Sequence, residues 1–205
     1  MLFRSSVGGL HRQQIFQLQL NVPTGSVTPW TSAEFNGACV PDESFYVKAA
    51  SWSPDAHTVY IGTTGFHPLG GPVGATPRTG LCDAAAAFPA TQASVGHKWI
   101  NYTGCDSLYS TAADSNTAYF GGHERWANNA NDCDAQGPGA INAPGMVGLA
   151  PSNGAVVFNP TRARGLGADD MLVTGAGLWI ASDNAFGSSQ CGGVSGHAGI
   201  CFMPY

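Results

Sequence analysis

One pattern recurs in this chain at a fixed interval. Thr58-Val59-Tyr60-Ile61-Gly62-Thr63, Thr117-Ala118-Tyr119-Phe120-Gly121-Gly122 and Gly177-Leu178-Trp179-Ile180-Ala181-Ser182 set an aromatic residue at 60, 119 and 179, in steps of 59 and 60 residues. Each copy is a run of aromatic and branched residues that ends in small ones, which suits a strand packed closely against its neighbours. Ahead of each stands another strand-like run, Tyr46–Ser53, Ser107–Ala113 or Asp170–Thr174. Between the two runs lie Pro54-Asp55-Ala56-His57, Asp114-Ser115-Asn116 or Gly175-Ala176-Gly177, residues that make tight turns through positive φ or side chain-to-backbone bonds. Each unit therefore opens with a β-hairpin.

A second element recurs as strand, glycine turn, strand. It is seen in Gln13–Leu18 followed by Thr24–Trp30, and in Gly145–Leu149 followed by Asn153–Pro160. No segment longer than about ten residues carries a 3.6-residue apolar period. Asp83–Phe88 is Ala-rich, but it falls where the third strand of its unit belongs and is read as a strand. Two hairpins per sixty residues give four-stranded antiparallel units, the sequence signature of a β-propeller. The expected fold is therefore all-β, a single propeller domain over 1–205 with a partial blade 1–31, blades 45–101 and 106–160, and a partial blade 168–205. Two full and two partial blades do not obviously close a ring, so the expectation is a partial propeller or the C-terminal part of a larger one. Further blades would come from the same or another chain, because open sheet edges are liabilities.

Composition narrows the partners. Charged residues are 10% of the chain, against about 25% in an average domain. Eight basic residues and a net charge of −5 argue against nucleic-acid binding, which needs Lys and Arg to neutralise phosphates. No run of 18 apolar residues predicts a membrane span. Cys39, Cys82, Cys105, Cys133, Cys191 and Cys201 form no C-x-x-C pair, and their even count at wide spacing predicts disulfides and a secreted or cell-surface protein. The pairing expected is that of nearest neighbours, 39–82, 105–133 and 191–201. Asn101-Tyr102-Thr103 is a glycosylation sequon if the protein is eukaryotic.

Several stretches carry a family resemblance. They are Gly104–Tyr109, Tyr119-Phe120-Gly121-Gly122-His123-Glu124-Arg125-Trp126, Pro144–Leu149 and Phe158–Gly165, with Phe45–Lys48, Trp52–Asp55 and Leu81–Ala86 upstream. Over roughly residues 40–205 the chain resembles the C-terminal blades of secreted bacterial propellers, mainly actinobacterial, that often accompany polysaccharide-binding or immunoglobulin-like modules. It departs from them at Cys105, where glycine is usual, and near Ala86 and Ala87, where an arginine is usual. The resemblance implies a propeller in a secreted protein and implies no activity.

The strongest polar constellation is His123, Glu124, Arg125 and Trp126, directly after a strand. One reading is a ligand site, with Trp126 stacked on a sugar and His123 or Arg125 bonding hydroxyls. The favoured one is a structural network through Asp106, since buried charges are normally paired. Arg162 and Arg164 would bind an anion or glycan, or hold blades in register through Asp169, Asp170 or Asp183. Asn128, Asn131, Asp132 and Asp134 gather oxygens in one loop but lack EF-hand spacing, so no cofactor is expected and calcium is the weak alternative. No P-loop, dinucleotide fingerprint, His-Glu-x-x-His or G-x-S-x-G elbow is present.

Three functions follow. The first is a non-catalytic module binding glycan or protein, for which Trp126, Trp30 and Trp99 are the candidate aromatics. The second is a polysaccharide-active enzyme, which needs two carboxylates converging in one cleft. The third is an assembly protein pairing through open blade edges.

Overall fold

The computed structural model describes residues 5–21, 23–40, 43–65, 80–160, 167–182 and 199–205. In this range the chain is all-β apart from one 3-10 turn, Ala33–Asn36. The N-terminal stretch holds β1 (Ser5–Val7), β2 (Leu10–Arg12), β3 (Leu18–Asn21), β4 (Thr24–Val27) and β5 (Ala38–Val40), and β6 (Glu43–Ser44) closes it. The first sheet contains β7 (Tyr46–Trp52), β8 (Thr58–Thr64), β9 (Ala84–Pro89) and β10 (Trp99–Tyr102), and the second opens with β11 (Leu108–Ala113) and β12 (Ala118–Gly122). A small hairpin, β13 (Trp126–Ala127) with β14 (Ile141–Asn142), interrupts the second sheet before β15 (Met146–Leu149) and β16 (Val156–Phe158) complete it. The third has β17 (Ala168–Thr174), β18 (Gly177–Ser182) and β19 (Ile200–Pro204). The strands run in order β7-β8-β9-β10, β11-β12-β15-β16 and β17-β18-β19, every pair antiparallel.

The sixty-residue period is visible in the register. Each first strand pairs with its second through a β-turn and carries a bulge near its start, between Val47 and Ala49, Leu108 and Ser110, and Ala168 and Asp170. The aromatic of each repeat lies in the middle of its sheet. Across the three strands the rows are Ser51–Tyr60–Ala87, Ala112–Tyr119–Gly148 and Leu172–Trp179–Phe202. Asp83–Phe88, read as a strand despite its alanines, is β9 from Ala84 on, and its small side chains let the sheet be covered on both faces.

The sheets stack face to face, with β11 lying against both β7 and β17. Tyr60, Trp99, Leu108, Phe120, Val147 and Leu149 fill the joint between the first and second sheets. Tyr119, Met146, Met171, Leu178 and Ile180 fill that between the second and third. First strands are tied across the joints by Ser51 Oγ to Thr111 Oγ1 at 3.1 Å, and by Ser110 Oγ donating to the Ala168 carbonyl at 2.5 Å. The repeat glycines make this approach possible. A Cβ at Gly121 would sit 2.4 Å from the Ala168 Cβ, and one at Gly62 3.3 Å from the Leu108 Cβ.

Within the partial blade expected over 1–31, the described residues do not form one sheet. They form two separate hairpins, β1–β2 and β3–β4. Gln14 has φ 60°, which breaks the extended run read over Gln13–Leu18, so β3 begins only at Leu18. The stretch nevertheless covers the first sheet, burying Trp30 and Phe35 against Phe45, Ile61, Leu81 and Phe88.

Candidate ligand-binding surface

Asp106 stands just ahead of β11, and Arg125 just ahead of β13. Arg125 Nε donates to Asp106 Oδ2 at 2.6 Å and Nη2 to Oδ1 at 3.2 Å, a two-pronged pair. Nη2 also donates to Asp134 Oδ1 at 3.0 Å. The guanidinium lies 4.3 Å over the Trp126 ring. Burial opposes the charge on Arg125, but the Asp106 and Asp134 carboxylates outweigh it and hold its pKa above the ordinary arginine value. The Arg125–Asp106 pair is the part of the expected network that the structure shows, and His123 Nδ1 meets the Tyr109 hydroxyl at 3.1 Å, its ring edge-on to Tyr109. Arg125 and Trp126 thus satisfy each other. A sugar stacked on that face of Trp126 would have to displace the guanidinium.

The other anticipated residues separate into clear cases. Cys39–Cys82 and Cys105–Cys133 are disulfides, as the nearest-neighbour pairing expects, and Cys201 is disulfide-bonded. Cys191, Arg162, Arg164 and Asp183 lie outside the described residues. Asn101 is buried and its side-chain amide donates to Asn128 Oδ1 and the Gly154 carbonyl, so the sequon is a structural asparagine in the folded chain. In the loop considered for calcium, Asp132 Oδ1 accepts from the amides of Cys133 and Ala135, Asn128 Oδ1 from Asn101, and Asp134 from Arg125. These oxygens fold the loop around the Cys105–Cys133 bridge. Trp30 and Trp99 are buried, and their indole N–H groups donate to the carbonyls of Pro89 and Pro151.

At the hairpin-turn end, Asp55 and Asp114 do line one cleft of about 290 Å³, with Lys98, Tyr60, Ser53 and Ser115. The Ser53 hydroxyl and the His57 amide hold the Asp55 carboxyl below the usual range. Burial works against ionisation of Asp114, but hydrogen bonds from Tyr119, the amides of Asn116 and Thr117, and Tyr205 outweigh it and lower its pKa. A glycosidase pair needs one carboxyl held protonated as general acid. Here both pKa values are lowered, Asp55 by its own turn and Asp114 by its turn together with Tyr119 and Tyr205, so neither is set up as the protonated general acid.

The exposed tryptophans are Trp52 (48% exposed) and Trp179 (44%), neither of them among the candidate binding aromatics Trp126, Trp30 and Trp99. Ser51 faces the second sheet, so its neighbour Trp52 faces the opposite way, toward the N-terminal hairpins. That alternation was the available signal. Trp52 stands between two hollows. One, of about 310 Å³, is apolar and lined by Ile15, Phe16, Leu18, Leu20, Ala50 and Val59, among others. The second, of about 450 Å³, mixes Gln17, Gln19, Thr28 and Gln92 with apolar residues such as Pro29 and Trp30. Gln17 is fixed in place, donating through Nε2 to the Ala90 carbonyl and accepting from the Thr28 hydroxyl. No lining residue of either hollow is charged. Flat apolar indole, amides and hydroxyls together can stack on a ring and bond neutral hydroxyl groups.

Among the described residues no helix is long and apolar enough to cross a membrane. Compared with known proteins, the chain matches no family model and no curated protein.

Proposed function

We propose that this chain is a binding module of β-propeller type, from a secreted or surface protein, that takes a neutral glycan across the hollows at Trp52 without catalysing its cleavage. One observation carries the reading: a half-exposed indole sits between an apolar groove and an amide-lined hollow, with no charge in either. The three equivalent registers and the stacking of β7, β11 and β17 support the propeller. The two disulfides fit an oxidising compartment.

Calorimetry with neutral gluco-, xylo-, manno- and N-acetylated oligosaccharides tests this. The expected result is a Kd of about 0.1–1 mM for at least one series. Trp52→Ala should weaken it at least about tenfold, as the loss of a stacked aromatic does. No heat with any series, or a Trp52→Ala protein that binds equally well, overturns the glycan. The exposed Leu18 and Leu20 beside the edge of β3 favour an uncharged extended peptide as the second reading, which calorimetry with such a peptide in place of the sugars tests.

A further inference from the structure

The cleft at the hairpin-turn end breaks the repeat at one atom. Tyr119 and Tyr60 are equivalent residues, and each follows a turn aspartate by five positions, Asp114 and Asp55. Tyr119 donates its hydroxyl to Asp114 at 2.7 Å. Tyr60 makes no such bond, because Asp55 is turned to the Ser53 hydroxyl at 2.5 Å and the His57 amide at 3.0 Å. The Tyr60 side chain is buried, 1% exposed, with its ring packed against Trp99 and Phe120. Among the described residues its hydroxyl has no hydrogen-bond partner, and the surface that Tyr60 does show lines the cleft. A buried hydroxyl without a partner is costly, so one kept in a folded chain calls for a reason.

The charges around that hydroxyl are of both signs. Asp114 accepts from Tyr119, Tyr205 and the amides of Asn116 and Thr117, so it acts as a fixed negative charge with its lone pairs taken. Asp55 keeps Oδ2 open to a ligand, its one neighbour there being His57 Nδ1 at 3.5 Å. Lys98 Nζ donates to Thr58 Oγ1 at 3.0 Å and pairs with no carboxylate among the described residues, which leaves it two N–H donors. A lone anion entering here meets two carboxylates, and a lone cation meets Lys98. A neutral ligand strips water from these charges and returns none. A molecule with one charge of each sign answers all of them through charge-assisted hydrogen bonds. At about 290 Å³ the cleft has the size for a small one. We infer that it binds a zwitterion of the α-amino acid class, with the ammonium on Asp55, the carboxylate on Lys98 and the Tyr60 hydroxyl bonded to the ligand. Tyr60 packs toward the second sheet and Trp52 faces the N-terminal hairpins, so this site is separate from the hollows at Trp52.

Calorimetry of the full chain with serine, glutamine, proline and leucine tests it. A Kd of about 0.1–1 mM is expected for at least one of them. Its N-acetyl and methyl ester derivatives, each short of one charge, should bind at least about tenfold more weakly. Tyr60→Phe and Lys98→Met should each weaken binding at least about tenfold. Tyr60→Phe deletes only a hydroxyl that has no partner in the chain, so its melting temperature should equal or exceed that of the unsubstituted protein, whereas loss of a structural hydroxyl would lower it. Neutral oligosaccharides should not compete, so a chain that binds no sugar at Trp52 leaves this titration readable. No binding of any of the four amino acids, derivatives that bind as well, binding that survives either substitution, a Tyr60→Phe protein that melts lower, or displacement by a neutral oligosaccharide would each overturn the proposal.

Discussion

The second and third sheets share one register and differ in what covers them. In the second, Tyr119 is buried, its ring packed against the third sheet and its hydroxyl donating to Asp114 at 2.7 Å. In the third, the equivalent Trp179 is 44% exposed and packs on Phe202 of its own sheet. The pairing of the first two strands is alike in both places, and the flanking positions differ in side-chain volume, Ala112 and Gly148 against Leu172 and Phe202. Strand pairing sets the unit, and small residues at the rows permit the close approach at the two joints seen.

The largest expected effect tests that statement at its tightest point. Gly121→Val should destabilise the chain by about 4 kcal/mol in urea unfolding, because even the first carbon lands on Ala168. Ala181→Val, at the equivalent place on the third sheet, should change stability by less than about 0.5 kcal/mol. Equal costs at the two sites would break the comparison. Next comes the aromatic pair. Tyr119→Ala should lose about 3 kcal/mol, from a cavity and a lost bond to a carboxylate, while Trp179→Ala should lose well under 1 kcal/mol.

The smallest effect is a pH dependence. Asp114 has a folded-state pKa below its unfolded one, so its contribution is present above the unfolded value near 3.9 and is lost as pH falls through the lower folded value. Asp114→Asn should cost about 1 kcal/mol at neutral pH and flatten the stability curve below about pH 4. The acid limb of thermal melts, compared with the unsubstituted protein, reads this directly.

Much of this arrangement is legible in the sequence because period and turn chemistry are local. Tyr60, Tyr119 and Trp179 mark the middle strands, and Asp55 and Asp114 mark the turns. Two disulfides follow from nearest-neighbour spacing. Other features depend on contacts that no local pattern records. Trp52 and Trp30 look alike as residues, and only the fold puts one in water and the other under the N-terminal hairpins. The positive φ of Gln14, which divides the N-terminal stretch into hairpins, has no glycine to announce it. Arg125 was recognised as a partner of Asp106, but its place over Trp126 depends on the turn into β13, a hairpin too short to show an alternating pattern.

The two bridges also give the chain a mechanical character. Cys39–Cys82 encloses a separation of 43 residues, and Cys105–Cys133 one of 28. Stretched between its ends, the oxidised protein withholds these segments from the force. At about 3.5 Å per residue they store roughly 150 Å and 100 Å of contour length. Reduction releases both, so a tethered molecule would report the redox state of its surroundings as a change in reach.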